Sequence, residues 1–231
     1  MTSRPQTQPF LAALTGVLLC LISAPAAAQV LSLDHDNHAD RVMTLSVGIE
    51  HAVVATLGYG QRVATVAERP VTAIVAATLP WATPDAGDWT ADAGVVTTLV
   101  SLSSWRLGND LRLRTRRSVG VISDILQFAV REKLYGGYFA GPGWLSLSIT
   151  YDKSLLTHLT HSDEYRMNVY PGARDGWMGS TGGLFEGAIE GGWNVSENLA
   201  LTARVGAHTT ERGNNNALLP YLASLGGNYR F

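Results

Sequence analysis

The sequence predicts an all-β fold, a transmembrane antiparallel up-and-down β-barrel of about ten strands. After the N-terminal region, no apolar stretch reaches the roughly eighteen residues that a membrane-spanning helix needs. Instead, segments of about ten residues alternate between apolar and polar side chains, with turn signals between them. Because only helices and closed barrels satisfy every backbone polar group in lipid, we expect a membrane protein built from such segments to be a barrel.

The N-terminus has the three parts of a secretory signal peptide. Arg4 supplies a basic start, residues 10–24 form an apolar run, and small residues precede a cleavage site after Ala28. The apolar run is shorter than the ~20 residues of a spanning helix, which disfavours the alternative of an N-terminal membrane anchor. We therefore predict a signal peptide over 1–28, a disordered periplasmic lead-in over 29–40 and a barrel over 41–231.

Composition excludes several classes of function. The chain has one cysteine, Cys20, which lies inside the predicted signal peptide. A mature chain without cysteine has no disulfide framework, zinc–thiolate site or iron–sulfur cluster. The net charge of −2 gives no basic footprint for nucleic acid. We expect no cofactor and a monomeric protein.

The period-2 pattern is clearest in five segments, 43–50, 145–152, 185–195, 199–209 and 219–231. Successive side chains of a strand point to opposite faces, so each segment has one apolar and one mostly polar face. A membrane barrel has its apolar face outward, whereas a soluble barrel or sandwich shows the same alternation with that face inward. Aromatic residues near the strand ends favour the membrane barrel, because interfacial girdles lie there. These residues are Trp144, Tyr151, Trp193, Tyr221, Tyr229 and Phe231.

The last strand ends in Tyr229-Arg230-Phe231, after alternate apolar residues. This ending resembles the C-terminal sorting signal of Gram-negative outer-membrane proteins, with Tyr229 and Phe231 as its aromatic positions. The resemblance implies residence in the outer membrane, contact with its lipid and lipopolysaccharide, and recognition by the barrel-assembly machinery through the last strand. It identifies no specific family and implies almost nothing about activity.

The strand count predicts the orientation of the barrel. Five further candidate strands, at 52–63, 70–81, 89–102, 105–114 and 119–130, bring the total to ten. An even number places both termini in the periplasm, with short turns there and a long external loop around 157–183. Eight strands are the alternative, because 43–63 could form one long bent strand. Residues 119–138 fit a helix or a strand, and strand is favoured because the neighbouring segments are strands.

The polar faces suggest a charged interior. Glu50, Asp152, Glu186, Glu190 and Arg204 are expected to point inward, and Glu186 and Arg204 lie on adjacent strands that could form an ion pair. The favoured interpretation is a packed polar network, and the alternative is a transport or ligand-binding role. A barrel of eight to ten strands leaves little room for an aqueous channel.

Two further groups are candidates for surface chemistry. In the predicted external loop, His158, Ser162 and Asp163 are weak candidates for acyl hydrolysis or transfer on lipid A or phospholipid, without a recognised motif. His158 and Asp163 with His161 form a weaker candidate metal site. The working hypothesis is a non-enzymatic barrel with a structural, surface-interaction or small-solute role, and a lipid-modifying enzyme is the runner-up. A run of arginines at one strand end could contact lipopolysaccharide phosphates if that end faces outside, or could line the lumen. These residues are Arg112, Arg114, Arg116 and Arg117.

Overall fold

A computed structural model describes residues 40–49, 53–81, 87–211 and 220–231, which form a closed barrel of ten antiparallel strands. Each strand pairs with its neighbours in sequence, and β1 pairs with β10, so the topology is up-and-down as predicted. The predicted signal peptide, lead-in residues 29–39 and Glu50 lie outside the described residues. The strands are β1 (Arg41–Ile49), β2 (Val53–Val66), β3 (Arg69–Pro80), β4 (Trp89–Leu102), β5 (Trp105–Val119), β6 (Ser123–Ala140), β7 (Gly143–His161), β8 (Gly176–Asn194), β9 (Leu199–Thr210) and β10 (Tyr221–Arg230).

The alternative of eight strands is wrong. β1 and β2 are separate strands that pair with one another from Ile49 opposite Val53 to Arg41 opposite Gln61. The ambiguous segment after residue 119 is confirmed as strand β6, which pairs with β5 and β7 along its length.

The two ends of the barrel differ in the length of their connections. One end, called the terminal end here, holds the start of β1, the end of β10 and the short connections at 67–68, 103–104, 141–142 and 195–198. The opposite end, called the loop end, holds three longer connections at 81–88, 162–175 and 211–220, together with two three-residue connections at 50–52 and 120–122. This asymmetry is the one expected of a barrel with short turns on one side of a membrane and longer loops on the other.

The loop between β7 and β8 is shorter than predicted. β7 continues to His161 and β8 begins at Gly176, so the loop covers 162–175 rather than 157–183. It contains one short helix, α1 (Asp163–Asn168), whose first turn is capped by the Ser162 hydroxyl. No helix among the described residues has the length and apolar character to cross a membrane.

The interior is polar and the exterior apolar. On β7, Leu145, Leu147 and Ile149 are 61–68% exposed, whereas the intervening Ser146 and Ser148 are 3–4% exposed. The same alternation runs around the barrel, so large apolar side chains cover the outer face of every strand. The prediction that Trp144 belongs to the aromatic girdle is wrong. Its even position on β7 directs the side chain into the lumen, where it is buried and stacks on Phe139.

A close approach of β4 and β5 gives the first testable prediction. A Cβ atom added at Gly94 would lie 2.0 Å from the Leu111 carbonyl oxygen, which is backbone and cannot rotate away. We expect Gly94→Ala to lower the free energy of unfolding by about 1–3 kcal/mol through overpacking. Urea unfolding followed by tryptophan fluorescence in detergent micelles measures the effect. Gly187→Ala is the matched control, because nothing lies within 4 Å of its added Cβ. Equal losses in the two variants would contradict the packing at Gly94.

Candidate functional site

A buried charge cluster fills the middle of the lumen. Glu190 on β8 is 1% exposed and accepts a 2.9 Å hydrogen bond from the Ser148 hydroxyl. Lys133 Nζ on β6 lies 2.6 Å from Glu190 Oε1, and Arg204 Nε on β9 lies 3.1 Å from the same oxygen. Arg204 also pairs with Glu186. Charge-assisted contacts thereby connect the inner faces of four consecutive strands, β6 to β9.

A second cluster lies beside the first, since Asp110 of β5 is directly opposite Lys133 of β6 in the strand register. Arg114 on β5 donates to both oxygens of Asp92 on β4, at 2.7 and 3.0 Å, and to Asp152 on β7 at 2.7 Å. Arg112 is buried and donates through Nε to Asp110 at 2.7 Å. Because buried charges are costly unless paired and hydrogen-bonded, these carboxylates are what allow the arginines to face inward.

Above these clusters, a cavity of about 790 Å³ opens at the loop end. We call it the vestibule. Its first wall comes from β5 and β6 and carries Arg114, Arg116, Gln127 and Arg131. Toward the terminal end it is closed, because Lys133, Glu190 and Arg204 are nearly fully buried beneath it. The vestibule is therefore a blind cavity.

The second wall of the vestibule is irregular. The β7–β8 register shifts between Ser154 and Leu156, and segment 178–184 of β8 lines the cavity. Within it, Ser180 has a left-handed φ of 43°, which is strained for a residue with a side chain. The Thr181 hydroxyl lies 2.8 Å from that of Ser154 and 2.7 Å from that of Thr157, so a cluster of three hydroxyls holds the bulge in place. Bulges of this kind widen and re-aim strands, commonly next to functional sites.

The predicted interior residues divide between the two clusters. Glu186, Glu190 and Arg204 lie together, and Glu186 and Arg204 form the ion pair that adjacent strands allow. Asp152 lies in the other cluster, with Arg114. Asp92, Asp110 and Lys133 were not predicted, although they occupy the inward-facing alternate positions of their strands.

The run of arginines on β5 does not form one lipid-facing patch. Arg112 and Arg114 point into the lumen, where carboxylates engage them. Arg116 lies on the same face and lines the vestibule. Arg117 points outward, and its guanidinium pairs with Asp124 at 2.6 Å. Period-2 alternation separates them, because residues at even and odd positions leave a strand on opposite faces.

The weak catalytic candidates are not brought together. Ser162 accepts the Tyr165 backbone N–H as a helix cap, Asp163 lies in the first turn of α1, and His158 packs against Trp177 with ring centroids 4.8 Å apart. Among the residues that the structure describes, no hydrogen bond joins His158, Ser162 and Asp163. In the same described part of the chain, no group of three His, Cys, Asp or Glu side chains is placed to hold a metal.

A polar contact orders the β7–β8 loop instead. Asp175 accepts the His161 backbone N–H at 2.9 Å, lies 3.0 Å from His161 Nδ1, and pairs with Arg166 of α1. The His161 backbone N–H, followed by the side chains of Arg166 and His161, lowers the pKa of the Asp175 carboxyl to about 2. Asp175 consequently stays charged, and keeps these partners, at any pH near neutrality.

No protein-family model matches the chain, and a search of curated proteins found no match. Several solved structures are similar in fold. The KdgM porin, solved with disordered oligogalacturonate, has 10% identity and a TM-score of 0.40 over 82% of this chain and 99% of its own. The Escherichia coli outer-membrane protease OmpT has 12% identity and a TM-score of 0.46 over 89% of this chain and 100% of its own. The translocator domain of the Neisseria meningitidis autotransporter NalP has 12% identity and a TM-score of 0.39 over 96% of each chain.

These three structures are outer-membrane β-barrels, the class that the C-terminal residues resemble, and they identify no specific family. Their activities differ from one another, and at 10–12% identity none of those activities is transferred to this chain.

Proposed function

We propose that this protein spans a Gram-negative outer membrane as a closed, non-enzymatic barrel and displays the vestibule at the cell surface. The observation that carries the proposal is the inverted side-chain pattern, with large apolar residues outside and charged residues buried inside. In water this pattern would expose a continuous apolar surface around the whole barrel, far beyond what soluble monomers show. In a bilayer it is the expected arrangement.

Two belts of outward-facing aromatic residues support a bilayer of ordinary thickness. On β8, Phe185 and Trp193 lie eight residues apart, and on β10 the same spacing separates Tyr221 and Tyr229. All four are exposed, and Phe185 stacks on Tyr151 of β7 with centroids 4.5 Å apart. Eight residues extend roughly 26 Å along a strand, or roughly 20 Å after a tilt of about 40°. This span is close to the apolar band of about 25 Å that such barrels carry.

The predicted export signal and the asymmetric connections support the orientation. A chain secreted through a signal peptide over 1–28 would enter the outer membrane from the periplasm. Short turns would then face the periplasm together with both termini, and the loop end would face outside. In this orientation the vestibule opens to the medium.

The packed interior supports a barrel without a continuous pore. Between the vestibule and the terminal end, inward-facing residues on several strands are almost inaccessible, including Glu190, Asn228, Val42 and Thr44 at 0–1% exposure. A solute would have to break the contacts that Glu190 makes with Lys133 and Arg204 before it could pass.

Cell fractionation and planar-bilayer recordings test the proposal. We expect the protein to migrate with the outer membrane, to shift in gel mobility after boiling, and to give no single-channel steps where a large porin, used as the positive control, conducts. Migration with soluble periplasmic proteins would overturn the membrane assignment, and regular current steps would overturn the closed interior.

A further inference from the structure

Two arginines in the vestibule keep hydrogen-bonding capacity that the protein does not use. Arg131 has one ion-pair contact, 3.7 Å from Glu186, and its side chain is 11% exposed. Arg116 is exposed to the cavity near its mouth and forms no ion pair among the described residues. Gln127 lies directly opposite Arg116 in the β5–β6 register and lines the same wall. Each guanidinium has five N–H donors and no acceptor, so both arginines present donors to the vestibule.

Around the vestibule, positive charge exceeds negative charge by one. Among the described residues, the two clusters and the β5–β6 wall comprise six cations and five carboxylates, and Arg131 shares Glu186 with Arg204. Four of the cations are matched at hydrogen-bonding or close ion-pair distance: Arg112 with Asp110, Arg114 with Asp92 and Asp152, Lys133 with Glu190, and Arg204 with Glu186 and Glu190. Arg116 and Arg131 are the remaining two cations. At the mouth, Glu211 lies 2.7 Å from Lys153 and is neutralised by it.

The β8 wall of the vestibule, opposite the arginines, leaves its backbone accessible to a ligand. Gly182 of β8 pairs with the inward-facing Ser154, and a Cβ added at Gly182 would meet nothing within 4 Å, so the backbone there is accessible. The strained Ser180 lies two residues before Gly182. Strain of this kind persists where the surrounding structure enforces it, and it is concentrated at sites that hold ligands.

We infer that the vestibule is a binding site for small oxyanion-bearing solutes, with carboxylate or phosphate groups held by Arg116 and Arg131. The planar guanidinium matches both groups with paired hydrogen bonds. The cavity of about 790 Å³ has the size of a small-molecule site and would hold a solute of about monosaccharide or disaccharide size. Gln127 and the open β8 backbone would bind its uncharged polar groups. Entry of the solute from the cell exterior rests on the proposed function, whereas binding itself requires only the folded barrel.

Isothermal titration calorimetry on the mature barrel, in non-ionic detergent at low salt, tests the site. The probes are glucose 6-phosphate and glucuronate, with glucose as the uncharged counterpart. We expect saturable binding of at least one charged probe and none of glucose. Arg116→Gln and Arg131→Gln are each expected to weaken that binding by about tenfold or more, since each removes a charge-assisted contact. Binding of the phosphate alone or the carboxylate alone supports the site and assigns its anion.

Arg117→Gln is the matched control, because this arginine lies one residue away, points outward and pairs with Asp124. It should leave binding unchanged. The proposal is overturned if neither charged probe binds, if glucose binds equally well, or if Arg117→Gln weakens binding as much as Arg116→Gln. Arg116 is exposed and its replacement is not expected to impair folding, so the test stands even if Arg131→Gln unfolds. Fractionation and conductance are measured separately, so failure of this site is distinguishable from failure of the membrane assignment.

Discussion

Glu190→Ala is expected to lower the free energy of unfolding by about 3–5 kcal/mol, the range observed when one partner is removed from a buried ion pair. Glu190 is 1% exposed and is contacted by Lys133, Arg204 and Ser148. Its removal leaves the Lys133 ammonium without its carboxylate in a site with almost no access to water. Arg204 keeps its second carboxylate, Glu186. Most of the loss should therefore come from Lys133.

Reversible urea unfolding in phospholipid vesicles measures this loss. Glu211→Ala is the matched control, because Glu211 also pairs with a lysine, Lys153, but at 30% exposure. An exposed pair of this kind contributes about 0–1 kcal/mol. The double replacement of Glu190 and Lys133 by methionine should restore part of the stability lost in the single variant, since it removes the unpaired charge as well. If Glu190→Ala cost no more than Glu211→Ala, the Glu190 ion pairs would not stabilise the barrel.

The strands could be predicted from the sequence because alternation is a local signal. Leu145, Leu147 and Ile149 occupy alternate positions, which places them on one face of the strand. The last three strands show the same spacing of apolar residues. The signal fails where a strand is bulged. At the β7–β8 shift near Ser154, the phase of the alternation changes, so the outer parts of both strands have the sequence of a loop although they pair as strands.

The charge clusters of the lumen could be predicted only in part. Alternation shows whether a side chain points inward or outward, but not its position along the barrel axis. Glu186 and Arg204 could be paired from sequence since their strands are adjacent. Lys133 and Glu190 lie on β6 and β8, which are not neighbours, and their contact depends on the closed circumference and the stagger of the strands. Trp144 is different, because its even position on β7 was sufficient to place it inside with Ser146.

Leu147→Arg is expected to destabilise the barrel by about 2–4 kcal/mol in a lipid bilayer, the cost of a basic side chain on the lipid face at the midplane. Leu147 is 65% exposed and pairs with Ile189, midway between the Phe185 and Trp193 levels of β8. Its side chain would meet hydrocarbon on all sides, with no lumen group within reach on the outer face. Unfolding in phospholipid vesicles, followed by tryptophan fluorescence, measures the cost.

Leu102→Arg is the matched control, because Leu102 is also an exposed outward leucine but lies beside the β4–β5 turn at the terminal end. Near the interface an arginine reaches water and phosphate, so its cost should fall to about 0–1 kcal/mol. Both variants make the same Leu→Arg change, so the difference between their losses of unfolding free energy reports the depth of each position in the bilayer. For a barrel surrounded by water, both leucines would be solvent-exposed and both replacements would be nearly neutral. Equal, small effects would therefore reject the membrane barrel, whereas a cost that grows from Leu102 to Leu147 requires an apolar medium around the middle of the strands.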